Sequence, residues 1–141
     1  MSEFIIALHA LVFLMHSGLS KSSEELSTNL CTNPVRIRKV MSKCKKHGIV
    51  TTRAGVNGGY MLVGKGQDIN LKQIYDAISV PIIESKWHSG DMESDCAICS
   101  GMAQYVDELF FMMNDECIRL LEGISLCDVE KRLGQIKELG L

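Results

Sequence analysis

Six cysteines offer the most varied chemistry in this 141-residue chain. Cys96 and Cys99 have the CxxC spacing of thiol oxidoreductases, but no βαβ pattern surrounds them, so an oxidoreductase is the less favoured interpretation. Cys31 precedes a basic stretch of predicted helix. A helix N-terminus, together with the nearby Arg36 and Arg38, would favour its reactive thiolate form. A cysteine switch is therefore one function that the chain could perform.

The cysteines also bear on the cellular compartment. The apolar run from Phe4 to Met15 is interrupted by His9, lacks a basic start and is too short to span a bilayer, so we expect neither a signal peptide nor a membrane partner. Cysteines in a chain without an export signal are typical of a cytoplasmic protein with reduced thiols. Three cysteines occupy apolar helical positions and are predicted core thiols: Cys44, Cys117 and Cys127.

Positive charge is concentrated in the first half of the chain. Residues 1–67 have nine basic and three acidic side chains, whereas residues 68–141 have six basic and fourteen acidic ones. Between Leu26 and Gln67 there are eight basic residues and no Asp or Glu. A basic surface beside an acidic remainder is typical of a protein that binds a polyanion such as nucleic acid.

Most of this charge falls on a predicted helix that begins at Pro34 and ends before Gly48. Thr32 or Asn33 can cap the helix, and proline suits its first turn. The apolar face is predicted from residues at helical spacing: Val35, Val40, Met41 and Cys44. Most other positions are basic: Arg36, Arg38, Lys39, Lys43 and Lys46.

A shorter helix is predicted before this basic helix, and a β-hairpin after it. Ser22 and Glu25 have the spacing of a capping box, which opens the short helix. A short helix, a brief turn and a basic helix form a helix-turn-helix signature. Residues 49–53 and 60–63 then have the composition of two strands around a glycine-bearing turn, which adds a wing. Gly58 and Gly59 are expected to adopt positive φ in that turn.

The flanking segments are predicted to be helical. Phe4–His16 forms a first helix, whose buried face is expected to contain Ile5, Leu8, Leu11, Val12 and Met15. Asn70 and Gln73 have capping-box spacing and open a helix that ends near Ser79. Residues 84–100 show no clear period.

A long apolar helix is predicted from Gly101 onward. Its stripe extends over about five turns and needs a partner, which either a second copy of the chain or its own core could supply. Ser125 and Asp128 then resemble another capping box. The apolar side of the last helix is predicted to contain Val129, Leu133, Ile136 and Leu139.

These motifs together resemble the Rrf family of bacterial winged-helix transcription factors, which includes the IscR, NsrR and CymR regulators. The resemblance covers nearly the full length. It depends most on the Asn-Pro start of the basic helix combined with the Gly-Gly-Tyr sequence of the wing. The matching segments are Asn33–Val40, His47–Val50, Gly55, Gly58–Tyr60, Ile69–Leu71 and Ile124–Leu126.

The resemblance implies a mainly α fold with a small β-hairpin wing. We expect a winged helix-turn-helix domain at residues 1–80 and a sensor loop with Cys96 and Cys99 at residues 81–100. A long dimerisation helix and a C-terminal helix are expected at residues 101–141. The family parallel implies a homodimer on double-stranded operator DNA, with its recognition helices in successive major grooves.

The resemblance also implies a set of DNA-binding residues. By position, the first turns of the recognition helix hold Asn33, Val35, Arg36 and Arg38. The wing holds Arg53, Asn57, Gly58, Gly59 and Tyr60. Ser27 and Thr28 precede the turn and could touch phosphate. Arginine can read guanine with two hydrogen bonds, and lysines further along a helix meet phosphate without sequence preference. That second role is expected for Lys39, Lys43 and Lys46.

Two sensor chemistries remain open. Thiol-switch relatives of the HypR type imply an intersubunit disulfide between Cys31 and Cys99, with Cys96 nearby. Other members of the family hold an iron–sulfur cluster through three cysteines, whereas this chain has two in the corresponding loop. The alternative is therefore a cluster or metal held by Cys96, Cys99 and His88, because mixed ligation of clusters exists. Apart from this alternative cluster or metal, no cofactor is expected.

No catalytic triad, nucleotide-binding glycine loop or paired-carboxylate site is present in the sequence. We therefore interpret the chain as a non-enzymatic, cytoplasmic, dimeric regulator of transcription. Remoter alternatives are a CxxC thiol oxidoreductase and a scaffold that binds protein partners through its acidic half.

Overall fold

The computed structural model describes residues 1–138 and residue 140. They form two compact units, of which the first comprises Met1–Val80 and the segment from Leu121 onward, and the second comprises Pro81–Leu120. Among the described residues, helices account for most of the secondary structure, together with one two-stranded antiparallel sheet. The predicted mainly α fold with a β-hairpin is confirmed. No described helix is both long and apolar enough to cross a membrane.

The elements follow in a simple order along the chain. They are α1 (Ser2–Ser17), α2 (Ser23–Leu30), α3 (Pro34–Lys46), β1 (Val50–Arg53), β2 (Gly59–Leu62), a 3₁₀ turn (Gly66–Asp68), α4 (Leu71–Ile78), α5 (Ala97–Glu122) and α6 (Leu126–Glu138). The short helix, the basic helix and the hairpin expected from the sequence correspond to α2, α3 and the β1–β2 pair.

Local capping contacts explain where α2, α3 and α4 of the first unit begin. Ser22 and Glu25 form a complete capping box at α2, with side-chain to backbone distances of 3.1 and 2.8 Å. The Asn33 side chain accepts a hydrogen bond from the Val35 amide at 2.7 Å, and Pro34 occupies the first turn of α3. Asn70 caps α4 in the same way as Ser22 caps α2. Each contact satisfies amide groups that a helix start leaves unpaired.

The core of the first unit is built around α1, which packs against α2, α3, α4, α6 and β2. Ala7, Ala10 and Leu11 are fully buried. The predicted single buried face of α1 is wrong at Ile5, which is exposed, because the buried side at this end is formed by Phe4 and Ile6 instead. A helix with neighbours on several sides does not show one clean apolar stripe.

The last helix also belongs to the first unit. Leu126 is fully buried, and its amide donates a hydrogen bond to the Ile69 carbonyl at 3.0 Å. The Leu71 amide donates to the Ile124 carbonyl at 2.9 Å. The expected grouping of residues 101–141 therefore differs from the structure, in which α6 packs with the winged domain. Leu139, predicted for the apolar side of this helix, lies outside the described residues.

In the second unit, α5 begins at Ala97, four residues earlier than expected from the apolar stripe. Ile98 in this first turn is exposed. The buried face of the helix therefore does not extend to its start, and the apolar pattern did not mark it. Further along, the Asn114 side chain accepts hydrogen bonds from the Ile82 and Ile83 amides at 3.0 and 2.9 Å and donates one to the Ile83 carbonyl at 2.8 Å. This amide side chain attaches the start of the unit to its helix.

One acidic residue joins α1 to α3. Glu3 lies in the first turn of α1, and its carboxylate forms ion pairs with Lys39, at 2.7 Å, and with Lys43. Hydrogen bonds from the Lys39 and Lys43 ammonium groups lower the pKa of Glu3 to about 2. Its side chain is 22 % exposed, so solvent screens these pairs only in part.

Replacing Glu3 with Gln is expected to lower the free energy of unfolding at pH 7 by about 1 kcal/mol, a typical value for exposed ion pairs. A carboxyl group with a lowered pKa stabilises the fold above its unfolded pKa, and this stabilisation is lost as the pH falls towards the folded pKa. The difference between Glu3→Gln and wild type should therefore shrink from pH 4.5 down to about 2. Urea unfolding across this range measures it, and a difference that does not change with pH would contradict the assignment.

Candidate nucleic-acid interface

The outward face of α3 is defined by what its opposite face buries. Ile37, Val40, Met41 and Cys44 are buried, and the residues on the other side are exposed at steps of four, three and four: Val35, Lys39, Ser42 and Lys46. Val35 is 61 % exposed, so its predicted place on the buried apolar face is wrong. Its side chain is accessible for the DNA contact that is also predicted for it. Ser42 was missed, although it lies seven residues after Val35 and hence on the same side.

The basic residues of this surface divide into paired and unpaired cations. Arg38 donates to the Ser23 hydroxyl at 3.2 Å and lies 3.4 Å from the Glu24 carboxylate. Lys39 and Lys43 are paired with Glu3. Within the described part of the chain, no carboxylate pairs with four other cations near the interface: Arg36, Lys45, Lys46 and Arg53. Folding therefore brings carboxylates to a stretch of sequence that has none of its own.

The wing is attached to the linker between α1 and α2. β1 and β2 pair antiparallel, with Val50 opposite Leu62 and Arg53 opposite Gly59. The Lys21 backbone extends this pairing through two hydrogen bonds with Tyr60, at 3.0 and 2.8 Å. The Ser20 hydroxyl donates to the Asn57 carbonyl at 2.6 Å. The wing tip, with the fully exposed Val56, is therefore presented on a supported hairpin.

Gly58 and Gly59 of the wing are required for different reasons. Gly59 has φ +140°, and a Cβ there would lie 2.3 Å from the Lys21 carbonyl oxygen. The expected positive φ at Gly58 is wrong, because positive φ in the turn occurs at Gly55 instead. Gly58 is required by space, since a Cβ there would lie 2.2 Å from the Arg53 carbonyl oxygen.

Some predicted contact residues face the protein rather than solvent. Ser27 is 8 % exposed and its hydroxyl donates to the Glu24 carbonyl at 2.8 Å, so its expected contact with phosphate does not fit the structure. Thr28 remains exposed. Tyr60 is half-buried against the core, and burial raises the pKa of its hydroxyl. Tyr60 supports the wing, and the exposed residues available for contact beside it are Arg53 and Asn57.

The first candidate sensor cysteine lies at the end of α2. Cys31 is exposed, adopts a left-handed conformation with φ +51° and terminates the helix. Its Sγ lies 3.8 Å from the Thr28 carbonyl oxygen. The thiol therefore faces the C-terminal end of α2, two residues before the Asn33 cap of α3.

The other two sensor cysteines lie in the second unit. Cys96 is exposed just before α5, where backbone hydrogen bonds from Cys99 and Ile98 lower the pKa of its thiol. Cys99 is in the first turn of α5 rather than in the preceding loop, and its Sγ accepts a hydrogen bond from the Asp91 amide at 3.3 Å. Cys99 is half-exposed, so its thiol is also accessible.

The three predicted core thiols differ from one another. Cys44 is buried, and burial raises the pKa of its thiol to about 11. Cys117 and Cys127 are half-buried instead. All six cysteines are free thiols in the single chain.

The alternative metal site is not assembled. Among the described residues, no three or more His, Cys, Asp or Glu side chains are grouped so that they could hold a metal ion. His88 is engaged elsewhere, since its Nε2 lies 3.1 Å from the Asp107 carboxylate. Cys96, Cys99 and His88 therefore do not form the ligand set suggested by the sequence.

An apolar face of α5 is exposed to solvent. Ile98, Tyr105 and Met112 recur every seven residues on this helix and are all exposed. On another side, Val106 and Phe110 face the start of the second unit and, with Trp87, line a cavity of about 200 Å³. Ile98, Tyr105 and Met112 do not belong to the stripe predicted from the sequence. Within that stripe, Val106 and Phe110 line the cavity, whereas Met102, Met113 and Leu120 are exposed.

Known proteins are similar to this chain in sequence and in architecture. The Rrf2 family, described as an iron-dependent transcriptional regulator, matches residues 1–132. YwnA of Bacillus subtilis (strain 168), which is named as an HTH-type transcriptional regulator, is 38 % identical over 132 residues, covering 94 % of this chain and 97 % of YwnA.

Solved structures give the same result for the fold. A transcriptional regulator from Lactobacillus plantarum superposes with a TM-score of 0.79 at 29 % identity, covering 94 % of this chain and 89 % of that one. CymR of B. subtilis, described as its global cysteine regulator, has a TM-score of 0.69 at 16 % identity, with 94 % and 95 % covered. At this identity CymR supports the fold alone. The match to residues 1–132 and the identity with YwnA show that the chain belongs to the Rrf2 family of transcriptional regulators, which are not enzymes.

Proposed function

We propose that this protein is a cytoplasmic, homodimeric regulator that binds double-stranded operator DNA through α3 and the wing, and that cysteine oxidation controls the binding. The main observation in support of a DNA-binding surface is the composition of the outward face of α3. Opposite a fully buried apolar face, it presents Val35, Lys39, Ser42 and Lys46, with unpaired cations beside them.

The proposed roles follow from position and from ion pairing. The major groove is wide enough to admit an α-helix, whose first turns then meet the base edges. Arg36 lies in the first turn of α3 and has no carboxylate partner among the described residues, so its guanidinium is available to read guanine. Lys46 at the other end of α3 and Arg53 on β1 are exposed and are assigned to the phosphate backbone.

Arg36→Ala and Lys46→Ala should weaken DNA binding in different ways. Loss of Arg36 should cost roughly 1–3 kcal/mol on an operator selected from random duplexes, with relaxed preference at one base pair. Loss of Lys46 should weaken operator and random duplex alike and flatten the plot of log K against log salt by about 0.9. Fluorescence anisotropy titrations over a range of salt measure both effects.

Lys72→Ala is the matched control for these titrations, because Lys72 lies on α4 and is paired with Asp76. It should leave binding unchanged. Equal behaviour of the Arg36 and Lys46 variants on both duplexes would contradict the proposed orientation of α3.

The proposed dimer uses the exposed face of α5. Heptad spacing of Ile98, Tyr105 and Met112 is typical of a helix that packs along a second helix. Such side chains lie exposed in the single chain, and burying a large apolar side chain against a partner contributes about 1.5–3 kcal/mol. A second copy of the chain, which presents the same face, would cover it symmetrically.

Met112→Glu should convert the dimer to a monomer, because it places a charge on the face that would be buried. Sedimentation velocity under reducing conditions measures the mass of both proteins. Met92→Glu makes the same chemical change at a side chain that is 79 % exposed and lies outside α5, compared with 54 % for Met112, and should leave the dimer intact. A wild-type monomer at micromolar concentration would refute the dimer.

The proposed switch is an intersubunit disulfide between Cys31 and Cys99. Both thiols are accessible, one at the turn that precedes α3 and the other in the first turn of the proposed dimer helix. Forming the bond transfers two electrons and two protons from the thiols to a thiol oxidant such as a low-molecular-weight disulfide. The bond would restrain the orientation of each α3 relative to the dimer axis and so alter how well the two half-sites are matched.

Oxidation of wild type with diamide should give a covalent dimer on a non-reducing gel, and both Cys31→Ser and Cys99→Ser should abolish it. Cys96→Ser should retain it, and Cys44→Ser serves as the buried control. Persistence of the dimer in both Cys31→Ser and Cys99→Ser would refute this pairing. Loss in Cys96→Ser, with retention in Cys99→Ser, would transfer the role to Cys96.

The alternative cofactor is less well supported. The description of the Rrf2 family names iron, but the described residues of this chain do not place three suitable ligands together. Cys96 and Cys99 lie at the start of one helix, and His88 binds Asp107. These residues do not fit a resident cluster, and the proposed mechanism does not use one.

A further inference from the structure

We propose that Glu3 acts as an intramolecular counter-anion, which competes with DNA phosphate for Lys39 and Lys43 of α3 and thereby sets how tightly the protein holds DNA. The inference rests on the proposed DNA-binding function. It adds a positioning residue that lies outside the helix-turn-helix and the wing.

Both oxygens of the Glu3 carboxylate contact a lysine ammonium group. Oε1 lies 2.7 Å from the Lys39 Nζ, and Oε2 contacts the Lys43 Nζ. Lys39 and Lys43 are one helical turn apart, so a single carboxylate from α1 can reach both ammonium groups. The Glu3 side chain is held close to the protein at 22 % exposure, whereas Lys39 is 67 % exposed and Lys43 is 33 % exposed.

The charge on Glu3 is permanent under conditions in which DNA is bound. Its pKa of about 2 keeps the carboxylate ionised throughout the neutral range. A carboxylate and a phosphate present the same kind of anionic oxygen to an ammonium group. A phosphate that approaches Lys39 or Lys43 must therefore either replace Glu3 or remain beside its negative charge.

Glu3 pairs with two of the cations near α3 and leaves others in the described part of the chain without a carboxylate partner. Within the described residues, Arg36, Lys46 and Arg53 have no carboxylate partner, although they border the same surface. Non-specific affinity depends on the number of phosphates that are neutralised, and each contributes about 0.9 to the salt slope. Glu3 thus removes up to two contacts from that number and leaves the proposed base-reading Arg36 unaffected.

The test is a comparison of Glu3→Gln with wild type on a random-sequence duplex, by fluorescence anisotropy across a range of salt. Glu3→Gln should bind on the order of tenfold more tightly at 0.1 M salt, and its salt slope should be steeper by about 1 to 2. In the double variant Glu3→Gln/Lys43→Ala, part of this gain should be lost. A role of Glu3 in stability alone would not steepen the slope.

Asp76→Asn is the matched control for charge, because it also removes one negative charge that is paired with lysine, but on α4. It breaks one ion pair, whereas Glu3→Gln breaks two. If Asp76→Asn tightens DNA binding as much as Glu3→Gln does, net charge explains the result and the inference is overturned. An unchanged slope in Glu3→Gln overturns it as well.

A second comparison keeps Glu3 in place and does not depend on the stability of Glu3→Gln. In an otherwise wild-type protein, Lys43→Ala should cost less DNA affinity than Lys46→Ala, because Lys43 is already paired. Equal losses would overturn the inference while leaving DNA binding established. Absence of binding to any duplex by all variants would overturn the proposed DNA-binding function, and this inference with it.

Discussion

Burial of one face of α3 against the core is the constraint on which the proposed DNA-binding surface depends. Ile37, Met41 and Cys44 are fully buried and Val40 nearly so. Because an α-helix advances 100° per residue, fixing these four side chains fixes the direction of every other side chain on α3. The residues presented outward are a consequence of core packing. A change in the packing of α1 would therefore rotate or tilt the surface without altering any exposed residue.

The same packing determines the electrostatics of that surface. In the sequence, the stretch between Leu26 and Gln67 is uniformly basic. In the folded chain, Glu3 and Glu24 arrive from α1 and α2 and pair with three of its cations. Among the described residues, the other five cations of this stretch have no carboxylate partner: Arg36, Lys45, Lys46, Arg53 and Lys65. Charge patterning along the chain thus located the basic stretch but overstated the number of its cations that have no carboxylate partner.

What the sequence predicted well was local. The capping boxes at Ser22 and Asn70 and the Asn33 cap of α3 join residues two or three positions apart, so their spacing alone specifies them. The features it missed depend on residues far away in sequence. Gly59 is required by the Lys21 backbone, and Ile5 is exposed because of how α1 meets its neighbours. Ser42 could have been identified once the buried face of α3 was known.

The candidate site divides in the same way. The winged surface belongs to the first unit, and Cys96 and Cys99 belong to the second. The proposed switch therefore needs a connection between a thiol of the second unit and the winged surface of the first. A disulfide to Cys31 of another copy would be such a connection, because Cys31 terminates α2 directly before the α3 cap. Oxidation within the Cys96–Cys99 pair alone would remain inside the second unit. The two mechanisms therefore differ in the partner of Cys99, which is Cys31 of another copy in the first and Cys96 of the same chain in the second.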